Sequence, residues 1–160
     1  MKKAAFLDRD GTVIHDVHYL AQLEDCSLIP EIIPVLQYLQ QAGYILVIVS
    51  NQSGVARGYF DEAFVLKTHD FLADMLAEHG IAITAFYFCP HHPTIAVRAD
   101  LQQDCDCRKP KPGMLLQAAK ELGVDLKASL MIGDSQRDLD AGLAAGCRAY
   151  HIDDVRRLQV

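Results

Sequence analysis

The sequence contains no apolar run approaching the ~20 residues that a bilayer-spanning helix needs. It has no long Lys/Arg run either, and its formal net charge is −6. Both facts speak against a nucleic-acid backbone as partner, so no nucleic acid and no membrane are expected. Lys2 and Lys3 precede an apolar stretch, Ala4 to Leu7, that ends at Asp8. That stretch is too short for a secretory leader, and the cytoplasm is the expected compartment. No repeat, low-complexity tract or linker interrupts the chain. Its 160 residues are expected to form one domain, 1–160, and a monomer. With 51% apolar and 22% charged residues, it reads as globular rather than disordered.

In the reducing compartment expected, the five cysteines point to a metal or to free thiols before disulfides. Three of them stand in the loop Cys89-Pro90-His91-His92-Pro93 to Cys105-Asp106-Cys107-Arg108-Lys109-Pro110. Cys-x-His with Cys-x-Cys offers four borderline ligands, enough for a closed tetrahedral zinc site. Packed free thiols, a Cys105–Cys107 redox pair or a disulfide to Cys89 are the other readings of the same residues. The loop, 89–108, is polar and aperiodic, and metal binding would supply folding energy that it otherwise lacks. Cys26 and Cys147 read as small core residues.

The first stretch carries the strongest chemical signal. Lys3-Ala4-Ala5-Phe6-Leu7 reads as a short core strand that ends in two carboxylates, Asp8 and Asp10, with Gly11 turning the chain away. Taken alone, Asp-x-Asp fits a turn or helix cap equally well. The rest of the chain decides between these readings. Pro30-Glu31 opens a helix with Ile32, Val35, Leu36 and Leu39 inward, stopped by Gly43. Tyr44 to Val49 is a β-branched run suited to a strand buried on both faces. It ends in Ser50-Asn51-Gln52-Ser53-Gly54. Asp61 caps a long helix expected to turn Phe64, Phe71, Leu72, Met75 and Leu76 inward. Ile83 to Phe88 is a strand, Gly113 to Leu122 a helix, and Ser129 to Ile132 a strand ending in Gly133-Asp134. A helix over Asp138 to Ala145 and a strand over Arg148 to Ile152 complete the pattern.

Strand and helix alternate throughout, which predicts an α/β fold with a doubly wound parallel sheet. With right-handed crossovers the expected strand order is 3-2-1-4-5. That order brings Asp8, Asp10 and Asp134 to one crevice at the switch point, with Ser50 arriving from the second strand. Crowded carboxylates repel unless a cation neutralises them, and Mg²⁺ fits oxygen ligands beside a phosphate. Ser50, Asn51 and nearby backbone N–H groups are suited to phosphate oxygens. Lys109 or Lys111 would supply positive charge to a transferring phosphoryl group.

These four segments together are similar to the haloacid-dehalogenase-like phosphatases: Asp8-x-Asp10-Gly11-Thr12, Ser50-Asn51, a lysine, and Gly133-Asp134 with Asp138 beyond. The resemblance covers nearly the whole chain and implies a Rossmann-like phosphatase. It implies Asp8 as nucleophile and Asp10 as acid and base. It implies Ser50 and Lys109 on the phosphoryl group, and Mg²⁺ on Asp8, Asp134 and the backbone carbonyl of Asp10. Asp138 reads either as a support of the metal through water or as a helix cap, and the cap is preferred. No stretch is long enough for a separate cap domain.

The cysteine loop before Arg108-Lys109-Pro110 resembles a zinc-loop subgroup of that family, whose members act on heptose bisphosphate or histidinol phosphate. The resemblance selects His91 over His92 as the fourth zinc ligand. Ser50 to Gly58 and the long spacer before Cys105 look more like the heptose members. Those imply sugar contacts at Asp16 and Tyr19, and contacts to the phosphorylated end at Ser50, Asn51, Gln52, Ser53, Arg108 and Lys109. The implied substrate is a small phosphorylated sugar. One departure is Ser135, where a heptose member carries a lysine that contacts substrate. A histidinol-phosphate phosphatase and a non-catalytic zinc-stabilised binding module are the alternatives. Intact Asp8, Asp10, Lys109 and Asp134 argue against the second.

Overall fold

The computed structural model describes residues 1–157; the expected domain span of 1–160 ends in residues that lie outside it. Five strands form one parallel sheet: β1 (Lys3–Leu7), β2 (Tyr44–Asn51), β3 (Ile83–Cys89), β4 (Leu130–Gly133) and β5 (Arg148–His151). Their order is β3-β2-β1-β4-β5, as the alternation of elements predicts. β1 pairs with β2 on one side and β4 on the other; the chain leaves β1 toward β2 and later crosses from β3 to β4 on its far side, so the switch point lies at the carboxyl end of β1.

The period of two along β1 decides what each face buries. Ala5 and Leu7 join Leu46, Ile48 and Ile132 under α1 (Ile32–Gln41) and α2 (Glu62–Ala77). Ala4 and Phe6 join Val47, Val49 and Met131 under α3 (Gly113–Leu122) and α4 (Gln136–Ala145). Both cores are built of buried apolar side chains, and each large one fully buried there contributes about 1.5–3 kcal/mol. A short helix, α5 (Ile152–Arg157), follows β5 and was not expected from the sequence. Among the described residues no helix is long and apolar enough to cross a membrane.

The inward face of α1 is Ile32, Val35, Leu36 and Leu39, as its spacing predicts. On α2 the expectation fails at Phe71, which is 37% exposed. The buried stripe of that helix is Val65, Thr68, His69, Leu72 and Leu76, and position 71 falls just outside it. Phe64 and Met75 are partly buried against the core. Several boundaries also move: β2 runs on to Asn51 and β3 to Cys89, and β5 ends at His151. β4 runs one residue later than expected, through Gly133, and α4 starts at Gln136 rather than Asp138. Ser135 is the N-cap, and Asp138 sits in the first turn, accepting from Ser135 N at 3.1 Å and from Ser135 Oγ at 3.0 Å.

Candidate active site

The carboxyl ends of β1, β2 and β4 deliver Asp8, Asn51 and Asp134 to a cavity of about 160 Å³, also lined by Asp10, Lys109 and Asp138. Gly11 makes the approach possible. Its φ is +84°, and a Cβ there would collide with the carboxylate of Asp134. Gly133 does the same beneath Asp138, whose carboxyl group occupies the space a side chain would need.

Lys109 is the centre of charge in this cavity. It is 2% exposed, and its Nζ donates to Asp8 Oδ1 at 2.7 Å, to Asp138 Oδ1 at 2.6 Å and to the Val49 carbonyl at 2.9 Å. Burial opposes the charge on Lys109, but Asp8 and Asp138 outweigh it and hold the ammonium above its ordinary value. Burial pushes the Asp8 carboxyl up to about 7 against the pull of Lys109, with Asp138 and Asp10 adding repulsion. Asp134 is raised by desolvation and by Asp138. Carboxylate oxygens of Asp8, Asp134 and Asp138 lie within 4.8 Å of one another. One ammonium cannot neutralise three carboxylates, so this donor set fits a hard divalent cation.

Lys109 lines this cavity and Lys111 does not. Lys111 pairs with exposed Asp104 at 2.7 Å, away from the cavity. Asn51 is tied to the backbone of Lys109 by a reciprocal pair. Its Nδ2 donates to the Lys109 carbonyl at 3.1 Å, and the Lys109 N–H donates to its Oδ1 at 2.9 Å. Ser50 is fully buried at the same strand end, and its Oγ accepts from Gln52 Nε2 at 3.3 Å. Asn51, rather than Ser50, forms the open wall there.

A second cavity, of about 330 Å³, adjoins the first and shares Asp10, Asp16, Asn51 and Arg137 with it. Its lining includes Gln52, Ser53, Tyr19 and Arg108, the residues expected to meet substrate. It also includes Arg9, Arg57 and Arg137, which sequence reasoning did not assign to the site. Arg9 is buried and paired with Asp10, which leaves the three guanidinium groups of Arg57, Arg108 and Arg137 to suit a second anionic group on a ligand. The loop that carries Asp16 and Tyr19 is held in strain. His18 and Tyr19 have φ of 54° and 62°, and Asp16 Oδ1 accepts from the His18 N–H at 3.0 Å. Tyr19 meets Tyr59 edge-on at 5.0 Å between centroids, and Arg57 lies 5.5 Å from the Tyr19 ring. Two loops therefore close this cavity in place of a cap domain.

Cys89, His91, Cys105 and Cys107 converge at the far side of the Lys109 loop, each offering one ligand atom within 4.8 Å of the others. The Sγ atoms of Cys89 and Cys107 are 2.8 Å apart, and His91 Nδ1 lies 3.4 Å from Cys107 Sγ. Hydrogen bonding to Cys89 draws the Cys107 thiol down to about 5. His92 points elsewhere, its Nδ1 accepting from the N–H groups of Thr94 and Ile95 at 3.2 and 3.0 Å. Three sulfurs and an imidazole this close form a cluster that can hold a metal. All five cysteines are free, with Cys26 and Cys147 buried. One expectation about this loop is corrected: it does have an anchor of its own. Leu101 is 3% exposed in a small core with Val55, Ala56 and Val65, and Val97 N–H donates to the Ala56 carbonyl at 2.8 Å.

Comparison with known proteins agrees with this arrangement. Residues 2–146 match the family model described as haloacid dehalogenase-like hydrolase. The chain is 48% identical over 145 residues to a D-glycero-beta-D-manno-heptose-1,7-bisphosphate 7-phosphatase of Pasteurella multocida (strain Pm70), covering 91% of this chain and 78% of that one. A D-glycero-alpha-D-manno-heptose-1,7-bisphosphate 7-phosphatase of Photorhabdus laumondii is 40% identical, covering 90% and 78%. The crystal structure of D,D-heptose 1,7-bisphosphate phosphatase from B. bronchiseptica, complexed with magnesium and phosphate, superposes with a TM-score of 0.81. It is 34% identical and covers 99% of this chain and 87% of that one. On its family match, its relatives and its fold, the chain belongs to the haloacid dehalogenase-like hydrolases.

Proposed function

We propose that this protein is a Mg²⁺-dependent phosphomonoester hydrolase that removes the 7-phosphate of D-glycero-D-manno-heptose 1,7-bisphosphate, on the route to nucleotide-activated heptose. The observation that carries the reading is the pairing of two cavities. One holds Asp8, Lys109 and the acidic cluster; the next is ringed by guanidinium groups. A sugar with a phosphate at each end fits that division. The relatives' names point to the same substrate.

In the first step a carboxylate oxygen of Asp8 attacks phosphorus, and the bond from phosphorus to the sugar oxygen breaks. Asp10 gives its proton to that leaving oxygen. The acyl phosphate left on Asp8 is easier to hydrolyse than the ester, so one hard step becomes two. Asp10 then takes a proton from water, which attacks phosphorus and frees phosphate and Asp8. Lys109 orients Asp8 and offsets charge on the phosphoryl oxygens. Asp8, Asp134 and the backbone carbonyl of Asp10 are the groups assigned to Mg²⁺, with Asp138 beside them. The bound cation supplies electrostatic stabilisation of the phosphoryl group. Asn51, Ser53 and Arg108 face the phosphorylated ends, Ser50 and Gln52 support them from behind, and Asp16 and Tyr19 face the sugar. Cys89, His91, Cys105 and Cys107 would hold a structural Zn²⁺, which would fix the loop that delivers Arg108 and Lys109. The proposed setting is a cytoplasmic monomer.

The test is phosphate release with Mg²⁺, comparing kcat/KM for heptose 1,7-bisphosphate and histidinol phosphate. A strong preference for the heptose is expected. Preference for histidinol phosphate would overturn the substrate and leave the chemistry standing.

A further inference from the structure

Asp10 lines both cavities, so it stands where the phosphoryl group in one meets the substrate body in the other. That junction is where a leaving oxygen must lie. Yet a carboxylate on a short side chain can rotate away from it. Arg9 and Gln52 oppose this from behind. Arg9 is 2% exposed, which is costly for a guanidinium. Its Nε donates to Asp10 Oδ2 at 3.1 Å and its Nη2 to Asp10 Oδ1 at 3.2 Å, a two-pronged grip on the carboxylate plane. Gln52, 5% exposed, closes the ring. Its Nε2 donates to Asp10 Oδ2 at 3.1 Å, and its Oε1 accepts from Arg9 Nη2 at 3.2 Å.

Stability alone is a weak reason for this arrangement. A buried ion pair is commonly matched or bettered by apolar residues of the same volume. What apolar residues cannot do is fix the direction of a carboxylate. Gln52 has both ends of its amide engaged before any ligand arrives, so its place in the cavity wall is not evidence of a substrate contact.

We infer that Arg9 and Gln52 are positioning residues that hold the Asp10 carboxyl group toward the leaving oxygen and so govern proton delivery in the first step. The inference rests on the proposed role of Asp10 as acid. When the phosphorus–oxygen bond breaks, the proton of Asp10 passes to the departing oxygen and the clamp receives the resulting carboxylate.

The test is leaving-group dependence in the Mg²⁺-loaded enzyme, using substituted phenyl phosphates of similar size. Poor leaving groups need the proton and good ones do not. The ratio kcat/KM reports the phosphorylation step alone, free of Asp10's later work as base. Gln52→Met and Arg9→Met are expected to lose at least about tenfold more on phenyl phosphate than on 4-nitrophenyl phosphate. Arg9→Lys should recover part of the difference. Equal losses on both esters, in variants whose circular dichroism matches the parent, would reduce the pair to a structural role. Asp10→Asn separates the two levels of the argument. If it shows the leaving-group effect and the clamp variants do not, the clamp is overturned. If it shows none, the acid role itself falls and takes the clamp with it. Should Arg9→Met fail to fold, Gln52→Met alone decides.

Discussion

Asp138 Oδ1 sits 2.6 Å from Lys109 Nζ, and both side chains are only 2% exposed. Asp138 thus does two things at once. One oxygen caps α4 through Ser135, and the other fixes the ammonium that reaches Asp8 at 2.7 Å. Removing the lysine would leave Asp8 and Asp138 facing each other without a counter-charge. Lys109→Met is expected to lower kcat by about 10²–10³, the scale for losing one preorganised electrostatic donor. It should also destabilise the fold, by about 3–5 kcal/mol, as for other broken buried pairs. Steady-state kinetics and urea melts check both effects. A variant of unchanged stability would show that the three-group cluster does not carry charge as described.

A second prediction concerns acid. His69 is 3% exposed, stacks on Phe86 at 4.5 Å, and neither of its ring nitrogens has a hydrogen-bond partner among the described residues. Burial, helped by the nearby Arg9 charge, holds its pKa down to about 3. In the unfolded chain an imidazole titrates near 6.5, so between those values the unfolded state binds more protons. Stability from this residue is complete above pH 6.5 and is lost as pH falls toward 3. The expected slope is up to about 1.4 kcal/mol per pH unit. His69→Phe should flatten the curve of melting free energy against pH in that window. Parallel curves for the two proteins would contradict the assignment.

The sulfur cluster predicts a local rather than global response to metal loss. Elemental analysis should find one zinc per chain, and Cys105→Ser should lose it. Leu101 keeps the middle of the loop docked against Val55, Ala56 and Val65. The sheet should therefore survive chelation while Cys105 to Lys109 loosens. Far-ultraviolet dichroism should hold steady while activity, assayed with Mg²⁺ restored in excess, falls and proteolysis near Asp104 to Asp106 rises. Collapse of the whole fold on chelation would show that the loop is more deeply coupled than its contacts indicate.

Arg137 borders both cavities and is exposed. It lies one residue beyond Gln136 on the first turn of α4, close to Ser135, the position at which the resemblance implies a lysine. An arginine here can serve the second phosphate of the substrate. Arg137→Ala is expected to raise KM for the bisphosphate about tenfold, the scale of one lost charge-assisted contact, with little change for a monophosphate. Equal changes for both substrates would remove Arg137 from recognition of the second phosphate.

Much of this was legible in the sequence because two signals are local. The period of two in Ala4 to Leu7 and the 3.6 period of Ile32, Val35, Leu36 and Leu39 follow directly from strand and helix geometry. Alternation of these elements then fixed the topology, and topology placed Asp8 and Asp134 together. What escaped was non-local. Nothing in the spacing says that Arg9, between two aspartates, turns inward to grip one of them. The start of α4 was misplaced because Asp138 looks like a cap residue and is one at N3 rather than at the N-cap. Leu101 stands alone among polar residues, so its burial depends on a distant loop that no periodicity reveals. Phe71 was drawn inward by its hydrophobicity, while the stripe of α2 was set by its neighbours.

The most direct test of the central claim is the fate of the phosphoryl group on the enzyme. Protein mixed with phosphorus-labelled heptose 1,7-bisphosphate and Mg²⁺ would be quenched in acid within its first turnover and digested. The account predicts label on the peptide that contains Asp8, and no label or turnover with Asp8→Asn. Turnover by Asp8→Asn, or rapid hydrolysis with no labelled peptide at any quench time, would contradict it.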